Sequence, residues 1–227
     1  MSDGHWTFAY SLLGDFERMD ANRLAEVMHA AYRQITGWPV FMWLTRHEVR
    51  PVQREQGIIE CHIVDHVAND NSAHSDFWRA SDSGRLFLRR GLIEDSGLEG
   101  FEPRTVFDSV LPIWRNGEAL LHVKRFAEIV GANRALVTAQ WVGLRDRHLT
   151  VIPGPDRNLL DPVASGVAAQ NVVETRVELD VARIAGALPE IVREFLRPLY
   201  SAFDFAESPP IDFVAGQLDR MTGRNAR

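Results

Sequence analysis

The sequence predicts an α+β fold: a mixed, largely antiparallel sheet with helices packed mainly on one face. Three observations carry this expectation. Segments of period-2 and period-3.6 hydrophobicity alternate irregularly, a short hairpin is legible near residue 146, and no internal repeat or low-complexity tract is present. With 227 residues, 45% hydrophobic and 25% charged, the chain has enough apolar mass for one sizeable core. A single α+β domain over residues 1–227 is expected, with residues 1–35 as an N-terminal helical arm.

The first element is a helix over "DANRLAEVMHAAYRQI", residues 20–35. Asp20 supplies the N-cap, and Leu24, Val27, Met28, Ala31 and Ile35 recur at helical spacing. Pro39 drives Trp38 out of the helical region, so "TGWPVFMW" turns and runs on extended. "QGIIECHIVDH" reads as a strand with Ile59, Cys61 and Ile63 on one face and Glu60, His62 and His66 on the other. A short helix is expected near Ser75, then a turn at Asp82-Ser83-Gly84 and a strand through "RLFLRRGLI".

"RTVFDSVLPIWR" is apolar on both faces and predicts a long central strand ended by Asn116-Gly117. An amphipathic helix follows in "GEALLHVKRFAEIVG", with Leu120, Val123, Ala127 and Val130 inward and Gly131 as its stop. "ALVTAQWVGL" and "HLTVI" predict a hairpin across Arg145-Asp146-Arg147, and "PGPDRNLLDPVASG" a loop. "QNVVETRVELD" is a further strand. Pro189 splits the following helical stretch near Leu188, and a last short helix starts at Ile211.

The net charge of −6 argues against a dedicated nucleic-acid binder. Cys61 is the single cysteine, so neither an intrachain disulfide nor a Cys-rich zinc site can form. With no signal-peptide pattern and no long apolar run, the expectation is a cytoplasmic protein without membrane contact.

No catalytic motif of high specificity is present. There is no G-x-S-x-G elbow around Ser165, no phosphate-binding glycine loop, and Cys61 alternates with isoleucines on an apolar face. The densest titratable cluster runs Glu60, His62, Asp65, His66, Asp70, His74 and Asp76. Glu60 and His62 share a strand face, and with His66 and His74 they form a candidate metal set for a hydrolase or nuclease, although the spacing matches no established signature.

"DFWRASDSGRLFLRRG", residues 76–91, places four arginines and three aromatic rings against two acids. Guanidinium groups clamp phosphates and rings stack on bases, so the stretch is a candidate nucleic-acid grip. Alternation sends Arg85, Phe87 and Arg89 one way and Leu86, Leu88 and Arg90 the other, which divides the basic groups. Pairing with Glu94, Asp95, Glu99 or Glu102 is the structural alternative. The tryptophans Trp38, Trp43, Trp78, Trp114 and Trp141 are each expected in core packing. A ligand pocket would draw on Trp38, Trp78, Arg79, Arg85, Arg89 and Trp114.

"TGWPVF", "DFWRASDSGRLFLRRGLIEDS", "FDSVLPIWRNGEALLHVKRFAEIVG" and "LPEIVREFLRPLYSAFDF" stand in this order between Arg23 and Phe205. Together they resemble an uncharacterised bacterial accessory region found downstream of Schlafen-type, AlbA-like domains associated with nucleic-acid or ATP binding. The resemblance implies a regulatory, sensing or assembly role and supplies no catalytic residue. The expectation is therefore a non-catalytic domain that binds a small-molecule ligand or protein partner and controls an associated effector. No cofactor is indicated, self-association into a homo-oligomer is compatible, and nucleic acid is not expected as a partner of this chain alone.

Overall fold

A computed structural model describes residues 4–16, 18–54, 57–64, 73, 75–152, 166–204 and 209–223. Seven strands build an antiparallel sheet: β1 (His5–Leu13), β2 (Val52–Gln53), β3 (Ile58–Val64), β4 (Ser75–Ser81), β5 (Arg85–Gly91), β7 (Arg134–Val142) and β9 (Val172–Asp180). Their order across the sheet is β2-β3-β4-β5-β1-β7-β9. Two further strands, β6 (Val106–Asp108) and β8 (His148–Thr150), pair in parallel in a small separate sheet. The helices are α1 (Ala21–Ala31), α2 (Leu111–Val130), α3 (Arg183–Gly186), α4 (Leu188–Ser201) and α5 (Ile211–Gly223). They pack against the sheet, so the fold is α+β with a largely antiparallel sheet. No helix among the described residues is long and apolar enough to cross a membrane.

The N-terminal segment is not an arm. "HWTFAYSLL" alternates strictly, with Trp6, Phe8, Tyr10 and Leu12 buried, and β1 lies between β5 and β7 in the middle of the sheet. Asp20 caps α1 by accepting from the Arg23 backbone N–H at 2.8 Å, and Leu24, Val27, Met28 and Ala31 face the core. The strand expected over residues 57–66 is present as β3, with Ile59, Cys61 and Ile63 inward.

Three further expectations are corrected. Residues from Ser75 form a strand, not a helix. Asp76 points inward beside Trp78 and Ala80, and that buried charge disguises the period-2 pattern. The long strand over residues 104–115 is confined to β6. Asp108 accepts from the Val110 backbone N–H at 2.7 Å, Pro112 sits in the first turn, and α2 runs straight through Asn116-Gly117. Its run is apolar on most sides because α1, α4, α5 and the sheet surround it. Within the helix, a Cβ at Gly117 would collide with Leu218 Cδ2, so its lack of a side chain admits α5.

The hairpin is the third correction. β7 pairs with β1 and β9, whereas β8 pairs with β6. Between them Arg147 turns inward, its guanidinium donating 2.7 Å bonds to both oxygens of Asp95 and a 3.0 Å bond to Val106 O. Asp95 also accepts from the Gly4 and Arg104 backbone N–H groups, so one buried pair ties the chain start and β6 together. Gly131 ends α2 in the left-handed conformation, and the chain divides between α3 and α4 at Ala187-Leu188, as the sequence indicates. The loop expected at 153–165 lies outside the described residues.

The core is aromatic. Trp6, Trp78 and Trp141 are fully buried, and His122 on α2 lies tilted 4.6 Å from Phe41, with Tyr10 and Phe126 also beside it. Burial lowers the His122 pKa to about 3, assisted by Arg125. Between that value and the ordinary value near 6.5 the unfolded chain binds the extra proton, so stability rises with pH through this window and is lost on acidification. Urea unfolding between pH 7 and pH 4 therefore shows a loss of a few kcal/mol that His122→Phe reduces.

Candidate ligand pocket

A cavity of about 350 Å³ opens between the segment after α1, the ends of β4 and β5, and the first turns of α2. Thr36, Gly37 and Trp38 form one rim, Asp76, Arg90 and Gly91 the sheet side, and Leu111, Trp114 and Arg115 the helix side. The last three lie at i, i+3 and i+4, the spacing that puts side chains on one helical face.

Each wall is fixed by buried polar contacts. Asp76 and Arg90 are direct partners across β4 and β5. Arg90 donates to Asp76 through Nε at 2.7 Å and Nη2 at 2.6 Å, and to the Trp38 and Pro39 carbonyls at 2.9 and 2.8 Å. The Trp38 indole N–H donates to Asp76 Oδ2 at 2.9 Å while 45% of the residue stays exposed. Its ring is thus held in place and presented to the opening. Glu118 on α2 accepts from the Ile35 and Thr36 backbone N–H groups and from the Thr36 hydroxyl at 2.8 Å. Burial raises the Glu118 pKa, and the Thr36 and Ile35 bonds oppose that shift.

Arg115 differs from every other charged group in this region. Its guanidinium makes no hydrogen bond or ion pair with any described residue, although it lines the cavity. Burial lowers its pKa from the usual arginine value, with the fields of Glu94, Asp76 and Asp108 acting the other way and Arg90 adding to the depression. Glu94 Oε1 is engaged by the Asp108 backbone N–H, and Asp108 by Val110. Arg115 therefore lines the cavity with five donors that no described residue matches.

The residues singled out from the sequence fall in three places. Trp38 and Trp114 line the cavity, Trp114 being 7% exposed. Trp78 is core: it is 0% exposed, and its indole N–H donates to Met42 O at 2.9 Å. Arg79, Arg85 and Arg89 lie on the opposite face of the sheet, away from Trp38 and Trp114. Arg79 pairs with Glu60 through Nε at 2.6 Å and also through Nη2. The acids expected as partners serve elsewhere: Glu94 holds β6 and Asp95 holds Arg147.

Glu60 is committed to Arg79 and to Arg54, and the hydrogen bond from Arg79 leads the causes that lower its pKa. His62 shares its face but stands edge-on to Phe77 at 6.2 Å. His66 and His74, with Asp65 and Asp70, lie outside the described residues. Among the described residues no group of three His, Cys, Asp or Glu side chains is placed to hold a metal ion. Cys61 is a core thiol near Val49 O, its pKa pushed up to about 12 by burial and by Asp76, so no reactive thiolate forms.

Arg115 escaped the sequence reading because residues 104–115 read as a strand. Placed on a helix, Leu111, Trp114 and Arg115 converge, which is a legible signal once Pro112 is taken as a helix-start residue. Comparison with protein-family models, curated proteins and solved structures gives no match for this chain.

Two substitutions separate structural from ligand-binding arginine. Asp76→Ala leaves Arg90 buried without its carboxylate and costs about 3–5 kcal/mol in urea unfolding. Arg115→Met removes a partly buried cation that has no ion-pair partner among the described residues, and leaves stability unchanged or raises it by up to about 1 kcal/mol in the same measurement.

Proposed function

We propose that this chain is a non-catalytic binding domain that senses a small, mostly apolar molecule with a carboxylate head. The observation that carries the reading is Arg115, an arginine with no acceptor among the described residues at a cavity walled by Trp38, Trp114, Leu111 and Ile93. The indole rings and aliphatic groups supply area for an apolar body, and the guanidinium fork matches a carboxylate in two parallel bonds. The rim supports a sensing role: Trp38 is tied to both Asp76 and Arg90 and Thr36 to Glu118, so ligand contact at Trp38 bears directly on the pair that locks β4 to β5. Control of an associated effector is the role that the resemblance to the Schlafen-associated accessory region adds to this proposal.

Octanoate and its neutral analogue octanamide test the reading on the full chain. At about tenfold excess over its Kd, octanoate is expected to raise Tm by about 3–5 °C, with octanamide giving a smaller shift. Arg115→Met is expected to abolish the difference between them. Equal shifts for acid and amide in the native protein, or an unchanged preference in the variant, remove the arginine from ligand recognition.

A further inference from the structure

The sheet face opposite the helices carries an array that the pocket does not use. Strand register sets His62, Phe77, Arg89, Thr7 and Gln140 in one row across β3, β4, β5, β1 and β7, and Glu60, Arg79, Phe87, Ala9 and Thr138 in the next. The Phe77 and Phe87 rings lie 6.4 Å apart, and His62 completes an aromatic file at 6.2 Å from Phe77. Both phenylalanines are partly open to solvent, and His62 is exposed.

Around them stand the arginines. Arg85 and Arg89 are exposed, and neither makes a hydrogen bond or ion pair with any described residue. Arg79 neutralises Glu60 together with Arg54, so the centre of this face keeps a positive surplus although the chain is acidic. A second cavity, of about 330 Å³, opens on this side at His5, His62, Phe77 and Arg89. On β9 the outward residues Glu174 and Glu178 flank Arg176, so the surplus is concentrated over β4, β5 and β1.

We propose that this face binds a short segment of single-stranded nucleic acid, with phosphates on Arg85 and Arg89 and bases against Phe77 and Phe87. A pleated surface with half-exposed rings offers faces on which unpaired bases stack, and those faces are hidden in a duplex. Arg85 and Arg89 are four residues apart on one strand, about 13 Å, which lets them reach different phosphates. An acidic peptide satisfies the arginines but leaves the rings unused, so the aromatic file favours nucleic acid. With few cationic contacts, binding is weak and salt-sensitive.

Fluorescence anisotropy of a labelled oligothymidylate and oligouridylate of about twelve nucleotides, titrated with the full chain, tests this. Saturable binding is expected at 50 mM salt, weakening by about sevenfold at 200 mM if two phosphates are neutralised. The double substitution Arg85→Ala/Arg89→Ala, at two exposed positions, is expected to weaken binding about tenfold or more with an unchanged melting curve. Phe87→Leu, which keeps an apolar group but removes the ring, is expected to cost about fivefold. The proposal is overturned by an absence of binding up to about 100 μM protein, the weak end of non-specific affinity. It is equally overturned if the arginine variant binds as well as the native chain, or if a duplex or polyglutamate competes as effectively as the single strand.

Discussion

The ion pair between Asp76 and Arg90 sets the geometry on which the pocket rests. Two opposite charges taken out of water repay their desolvation only when the remaining donors and acceptors are also satisfied. Here they are: the guanidinium reaches both carboxylate oxygens and two backbone carbonyls, and the second carboxylate oxygen accepts the Trp38 indole N–H as well. Those carbonyls belong to Trp38 and Pro39, in a segment with no strand partner. The pair therefore does more than lock β4 to β5. It anchors an irregular stretch of chain to the sheet and fixes the angle of an exposed aromatic ring.

Asp95 and Arg147 repeat the device just beyond the C-terminal end of β5. That pair holds the Gly4 backbone N–H and the Val106 carbonyl, bringing the start of β1 and the small β6–β8 sheet onto the same turn of chain. Set beside these two arginines, Arg115 stands out by contrast. Arg90 and Arg147 are buried in ion pairs, whereas Arg115, partly buried at the cavity, makes no hydrogen bond or ion pair among the described residues. A cation held at a cavity without an acceptor is a cost that a fold removes easily by substitution, and its place in a wall that also carries two indole rings gives it a use.

The same polar groups explain which parts of the fold were legible in the sequence. β3, α1 and α4 follow the ordinary rule that inward residues are apolar; β5, β9 and α5 depart from it at one position each (Arg90, Thr175 and Gln217), and their periodicity still identifies them. β4 breaks the rule at Asp76, and the break hid a strand whose other inward residues, Trp78 and Ala80, obey it. α2 breaks it differently, being enclosed on so many sides that its pattern reads as a doubly buried strand, while Asn116-Gly117 reads as a turn. In the helix Asn116 donates to Pro112 O at 2.7 Å, and Gly117 admits Leu218. Of the site, Trp38 and Trp114 were legible as aromatic walls. Arg115 was not, since its neighbours become neighbours only on a helix, and Trp78 was misplaced because alternation alone does not say which face is covered.

Alternation along β5 also accounts for the two-sided character of residues 85–91. Arg89 projects to the open face and Arg90, the next residue, to the helix-covered face, so adjacent identical side chains meet opposite fates. The first keeps its charge available to solvent, whereas the second is consumed by Asp76. Gly91, which follows, lines both cavities, because without a side chain the sheet there is only one backbone thick. The basic run is thus neither a uniform grip nor a set of incidental surface pairs. One arginine builds the inner wall, two remain free on the outer surface, and their separation is enforced by the pleat rather than by any partner.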